Sequence, residues 1–249
     1  MKILLLNGWS VPNTMWSGFF DELCNVLLEK GVVVTAYEMI AIDRPLTKKE
    51  WFQEIDPRVD EDTMLVGWSL GGMLATAYAA SSERNFVGLV TLMSNLCFIR
   101  TQDCSWAMSR DDFETFRKDL STEADKTGFF NRFSSLVARG DTQLKAAIRF
   151  LRERYRVDGC FDDVVLTQSL ELLGGLDVTS EIAEVKVPLL MLFGEADALS
   201  GCPSNEQAQK LRELNGDASV QRIPTGHLPF MGARQTVQEH MIDFAVANA

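Results

Sequence analysis

The 249-residue chain is poor in several things that would each announce a class of protein. It holds only two histidines and five cysteines. No apolar run approaches the roughly 20 residues needed to cross a bilayer. The amino terminus has no basic, apolar and small-residue segments in succession, so no signal peptide is expected. Cys24, Cys97, Cys104, Cys160 and Cys202 are odd in number and scattered, without zinc-like or CxxC spacing. Reduced thiols in a cytoplasmic, monomeric protein are the expectation, with neither metal nor cofactor. Positive charge is also scarce, at 24 Lys and Arg against 35 Asp and Glu, a formal net charge of −11. Such a chain is not expected to bind nucleic acid or anionic membrane.

What is present is the pattern of a parallel sheet. Short apolar runs at Lys2 to Leu6, Val32 to Tyr37, Thr63 to Val66 and Val87 to Met93 read as strands, separated by amphipathic stretches. One helix is predicted from Met15 to Glu29, closed by Gly31, and another after Gly71. Strand signals vanish between Phe98 and Leu176, where several helices are expected. They return at Val187 to Phe193 and Ser219 to Ile223, with helices over Ser204 to Leu214 and Gln235 to Val246. The expected fold class is α/β: a core of residues 1–97 and 177–249, with a helical cap of residues 98–176 inserted over the sheet.

Gly67-Trp68-Ser69-Leu70-Gly71 stands where a buried strand turns into a helix. A GxSxG run alone is weak, but in that context Ser69 is a candidate nucleophile, its flanking glycines making room where strand and helix come close. A serine hydroxyl needs a base, normally histidine. His227 lies in a loop beyond the Ser219 to Ile223 strand, whereas His240 falls inside the last helix and reads as a surface or packing residue. The base needs a carboxylate, and Asp197, in the loop after Val187 to Phe193, completes the order nucleophile, acid, base. Glu195 and Asp177 compete for that part. The oxyanion formed on attack needs backbone donors, for which the amides of Leu70 and of Trp9, in Asn7-Gly8-Trp9-Ser10, are the candidates.

With these loops in place, the chain resembles the α/β-hydrolase superfamily, and within it the pimeloyl-[acyl-carrier protein] methyl ester esterases of biotin synthesis. The resemblance spans nearly the whole chain. It rests on Gly67 to Gly72, Leu89 to Thr91 with Ser94 and Cys97-Phe98, Leu170 to Leu173, Leu176 to Val178, Gly194 to Asp197, and Gly226-His227-Leu228-Pro229-Phe230. It implies triad roles for Ser69, Asp197 and His227, and oxyanion and substrate contacts for Trp9 and Leu70. In the cap it implies an Arg-Phe pair at Arg132-Phe133 and an acyl site lined by Phe133, Ser134, Ser135, Leu136 and Val137. Two departures stand out: Asn7-Gly8 replaces the usual His-Gly, and the chain begins at what is normally the third strand, so the amino-terminal hairpin is expected to be missing.

Charge is unevenly spread. Residues 128–157 carry +5 and the remainder −16. Lys145, Arg149, Arg152 and Arg156 step by four, three and four, which places them on one helical stripe. The bland reading is a solvated face. The resemblance implies instead that Arg132, Lys145 and Arg149 meet an acidic acyl carrier protein, with Arg152 and Arg156 extending the contact. The expected activity is hydrolysis of the methyl ester of a carrier-bound pimeloyl chain. A general short-chain carboxylesterase and a non-catalytic ligand receptor on the same scaffold are the alternatives.

Overall fold

In the computed structural model of the chain, residues 1–16, 18–122, 126–158 and 161–249 are described. Cys160 lies outside them. Among the described residues six strands form one sheet: β1 (Lys2–Trp9), β2 (Ala36–Ile42), β3 (Thr63–Trp68), β4 (Gly88–Leu92), β5 (Leu189–Gly194) and β6 (Ala218–Ile223). Their order is β2-β1-β3-β4-β5-β6, and every pairing is parallel. The inner strands β3, β4 and β5 are buried along their whole length, as apolar runs covered on both faces must be.

The strand order itself locates a crevice. From β1 the chain runs outward through α1 (Phe19–Glu29) to β2, then returns past β1 through α2 (Lys48–Ile55) to β3. Right-handed crossovers therefore put α1 on one face, and α2 with α3 (Leu70–Ser81) on the other. Helix α1 packs against α9 (Arg234–Asn248), and α2 against α3. Where the connections diverge, between the carboxyl ends of β1 and β3, open α/β sheets leave a cleft. Gly8 and Ser69 stand there.

Three elements differ from expectation. Pairing on β1 begins at Lys2 opposite Ala36, so β2 starts four residues later than the Val32 to Tyr37 run suggests. The β-branched residues before it form a connector, tied by Val32 N to Leu27 O and Thr35 N to Met1 O. The helix expected from Met15 to Glu29 is broken: a 3₁₀ turn over Asn13–Trp16 precedes Gly18, whose φ of 71° starts α1 in a new direction. Helix α2 was not anticipated, although Thr47-Lys48-Lys49-Glu50 is a capping-box sequence. The Thr47 hydroxyl accepts from Glu50 N, and the Glu50 carboxylate accepts from Thr47 N.

Among the described residues between β4 and β5 come four α-helices: α4 (Arg110–Thr122), α5 (Lys126–Val137), α6 (Leu144–Asp158) and α7 (Asp163–Gly175). The two ends of this stretch meet where Val178 N donates to Leu96 O at 2.7 Å and Cys97 bridges Asp177. Buried side chains of α4 to α7 join those of the sheet in one continuous core. The joint is aromatic. Trp9, at the end of β1, sits edge-on to Phe116, Phe129 and Phe133 and stacks beside Phe130, and its Nε1 donates to Leu166 O in α7 at 3.0 Å. A buried indole gains both contact area and a satisfied N–H this way. Among the described residues no helix is long and apolar enough to cross a membrane.

Candidate active site

Ser69 ends β3 and begins α3 with φ 54° and ψ −120°, a conformation that non-glycine residues adopt only when their surroundings hold it. The surroundings here are specific. Ser69 N donates to Leu92 O at 3.1 Å, and Ser94 Oγ donates to Ser69 O at 2.7 Å. A methyl group at Gly71 would collide with the carbonyl oxygens of Leu6 and Asn7, and one at Gly67 with Gly71 O at 2.5 Å. Strand and helix therefore touch backbone to backbone. Gly71→Ala is expected to lower stability by about 3 kcal/mol, because backbone on both sides cannot yield. A thermal melt unchanged by that substitution would contradict the packing.

His227, in the loop after β6, is 2% exposed, and its Nδ1 lies 2.7 Å from Asp197 Oδ2. A carboxylate has only acceptors, so Nδ1 carries the proton and Nε2 is left as the basic nitrogen. The other oxygen, Asp197 Oδ1, accepts from Leu199 N and Ser200 N, each at 2.9 Å. Both oxygens are thus committed. The histidine loop is fastened to the serine turn by Trp68, whose Nε1 donates to His227 O at 3.0 Å and whose ring leans on His227 and Phe230.

The competing carboxylates are occupied elsewhere. Glu195 pairs with Arg222 at 3.3 Å, and Asp177 accepts from Thr179 N at 3.0 Å. His240 lies within α9. Among the described residues there is no cluster of His, Cys, Asp and Glu able to hold a metal.

Leu70 N belongs to the first turn of α3, where N–H groups have no acceptor inside the helix. The neighbouring loop comes close: a methyl group at Gly8 would lie 3.3 Å from Ser69 Cβ. Asn7, the departure from the usual His of this loop, is fully buried. Its Oδ1 accepts from Trp16 Nε1 and its Nδ2 donates to Asn13 Oδ1, both at 2.5 Å, and Asn13 Nδ2 donates to Met39 O at 3.0 Å. The loop is therefore held by a polar network, and Ser10, with φ 61°, turns the chain immediately after Trp9.

Ser69 and His227 face a narrow cavity of about 20 Å³. Its walls are apolar: Trp9, Val11, Phe98, Phe116, Leu151 and Leu173, with Phe133, Val137 and Tyr155. Of the five residues expected to line an acyl site, Phe133 and Val137 line this cavity. Leu136 faces a groove next to the cavity, which also borders Asp197, Arg132 and Arg139. Ser134 and Ser135 turn their hydroxyls back onto their own helix, donating to Phe130 O at 2.6 Å and Asn131 O at 3.1 Å. Helical period three to four puts only part of any five-residue run on one face. Phe116, Leu151 and Tyr155 were missed because they come from α4 and α6, far apart in sequence, although the apolar stripe of α6 marks the latter two.

The basic residues divide. Lys145, Arg149, Arg152 and Arg156 are all exposed on α6. Arg152 reaches across to Asn131 O and Ser135 Oγ of α5, each at 3.2 Å. Arg132 lies on α5, 4.0 Å from Asp119 of α4, and borders the groove that Leu136 faces.

A parallel sheet with a strained serine at its central turn, a buried His–Asp pair opposite, and helices inserted after β4 defines a hydrolase scaffold. Residues 3–239 match the family described as "Alpha/beta hydrolase family", and the chain belongs to it. It is 24% identical over 236 residues to a pimeloyl-[acyl-carrier protein] methyl ester esterase of Shewanella oneidensis, covering 94% of this chain and 86% of that one. A protein of the same name from Edwardsiella ictaluri is 27% identical over 245 residues, covering 98% and 92%. Among solved structures, an esterase from Exiguobacterium antarcticum superimposes with a TM-score of 0.78 at 17% identity, covering 98% of this chain and 91% of that one.

Proposed function

We propose that this protein hydrolyses the methyl ester of a pimeloyl chain borne by an acyl carrier protein, using Ser69, His227 and Asp197 as its triad. The chain is a carboxylic ester hydrolase, as its family and its relatives named as esterases indicate. The proposed chemistry runs through an acyl-enzyme. His227 Nε2 takes the Ser69 proton as Oγ attacks the ester carbonyl, while Asp197 stabilises the imidazolium. The oxyanion meets the amides of Leu70 and Trp9. His227 then gives its proton to the departing methoxide, releasing methanol, and water admitted to the same place hydrolyses the acyl-enzyme with His227 again as base.

The observation that carries the carrier-protein reading is the two-faced character of α6. Leu151 and Tyr155 wall the cavity, while Lys145, Arg149, Arg152 and Arg156 point to solvent on an otherwise acidic molecule. A cation-rich surface on the same helix that walls a narrow apolar cavity suits a substrate whose reacting end is an aliphatic ester and whose carrier is acidic. In this reading residues 98–176 act as a cap and Arg132 stands at its rim. The four described cysteines are free, which supports a reducing, cytoplasmic setting.

The test compares two substrates. Reversing Arg149 and Arg152 to Glu is expected to reduce kcat/KM on the carrier-linked methyl ester by about 10- to 100-fold while a p-nitrophenyl ester is turned over within about twofold of wild type. Equal effects on both would remove the carrier protein from the proposal. Rescue of growth without biotin, in a strain lacking its own such esterase, tests the same point in cells.

A further inference from the structure

The loop that supplies Asp197 also supplies a second polar group to His227. Ser200 Oγ lies 3.4 Å from His227 Nδ1, on the same ring nitrogen that faces Asp197 Oδ2 at 2.7 Å. Ser200 is 2% exposed. Its position is fixed at both ends of the residue: its N–H donates to Asp197 Oδ1, and its carbonyl accepts from Asn95 Nδ2. Asn95, itself buried, accepts from Trp106 Nε1 at 2.7 Å through its Oδ1. A chain of polar groups thus runs from half-buried Trp106, in the stretch leading to α4, through buried Asn95 and Ser200 to the histidine. Buried polar groups are costly unless they bond to one another, and a connected set of this kind fixes one geometry.

We propose that Ser200 is a positioning residue for His227, its hydroxyl oxygen sharing the Nδ1 proton with Asp197 and so holding the ring plane that aims Nε2 at Ser69. The inference rests on the triad reading above. A hydroxyl has two acceptor lone pairs, so Ser200 can accept from Nδ1–H whatever its own proton does. Asp197 supplies the short, charged contact. Ser200 adds a neutral one from another direction, which restricts rotation of the ring about its bond to Cβ. When His227 gains a proton the Nδ1–H becomes a stronger donor, so both contacts strengthen in the transition state, and losing one lowers kcat rather than substrate binding.

The experiment replaces Ser200 with Ala, Val and Thr in the full chain. Val and Thr have the same shape and differ only in the hydroxyl, so any cost of the extra bulk cancels between them. With a small ester, Ser200→Ala and Ser200→Val are expected to lower kcat about three- to tenfold with KM unchanged, and Ser200→Thr to recover most of the loss seen with Val. Proton NMR of the folded proteins gives an independent reading: the His227 Nδ1 proton resonance is expected to move in Ala and Val and to stay near its wild-type position in Thr. Equal kcat in Thr and Val, or a resonance unmoved by Ser200→Ala, would overturn the role given to Ser200. Should the bulkier variants fail to fold, Ser200→Ala with its NMR spectrum decides alone. An active Ser69→Ala protein would overturn the triad reading, and this inference with it. An inactive Ser69→Ala protein beside a silent Ser200→Ala would overturn only the latter.

Discussion

Ser69→Ala is expected to reduce hydrolysis of a p-nitrophenyl ester by about 10,000- to 1,000,000-fold, leaving only what the oxyanion donors and binding supply. The same protein is expected to melt within about 2 °C of wild type, since its hydroxyl is not what holds the turn. The bonds that hold it, Ser69 N to Leu92 O and Ser94 Oγ to Ser69 O, use backbone atoms that alanine keeps. The backbone strain at φ 54° is likewise kept. Ser69→Gly separates the two properties: it is expected to be equally inactive yet more stable by about 1 kcal/mol, because glycine adopts positive φ without the steric penalty. Substantial residual turnover in Ser69→Ala, measured on protein free of contaminating esterase, would remove Ser69 from the chemistry.

The second large effect is expected at Asp197, and the geometry says which way the substitution acts. In Asp197→Asn the side-chain oxygen must remain where Leu199 N and Ser200 N donate, because an amide nitrogen there would face two donors. The NH₂ then faces His227 Nδ1, which must turn from donor to acceptor. The proton moves to Nε2, the nitrogen required as base. A loss of about 10,000-fold in kcat near neutral pH is expected, with the fold intact and KM little changed. A loss below about tenfold would show that the tautomer of His227 does not depend on Asp197.

Much of this was legible because it is local. The βα turn at Gly67 to Gly71 is written in five residues, since close approach of strand and helix admits only glycine at the flanks. The strand at Thr63 and the helix over Ser204 to Leu214 are likewise matters of a few neighbouring side chains. The start of β2 was not legible. Val32 to Thr35 have the higher strand propensity, but pairing begins where Lys2 meets Ala36, and register is set by the partner strand. The helical period over Met15 to Glu29 hid the break at Gly18, which shows as a positive φ rather than as a change in hydrophobic pattern.

The carbonyl edge of the sheet divides what each level decides. By itself the sequence determines that a serine sits at a tight strand-to-helix turn, that only one of two histidines falls in a loop, and that an acidic loop stands between them in chain order. Its resemblance to a known superfamily adds the fold. Only the tertiary structure decides that Asp197, rather than Glu195 or Asp177, meets His227, that Asn7 serves the loop as the buried centre of a polar network, and that Ser200 stands beside the same imidazole. The reason is physical: a hydrogen bond between residues 27 or 30 positions apart depends on how separate loops are packed, and no spacing along the chain encodes a distance across it.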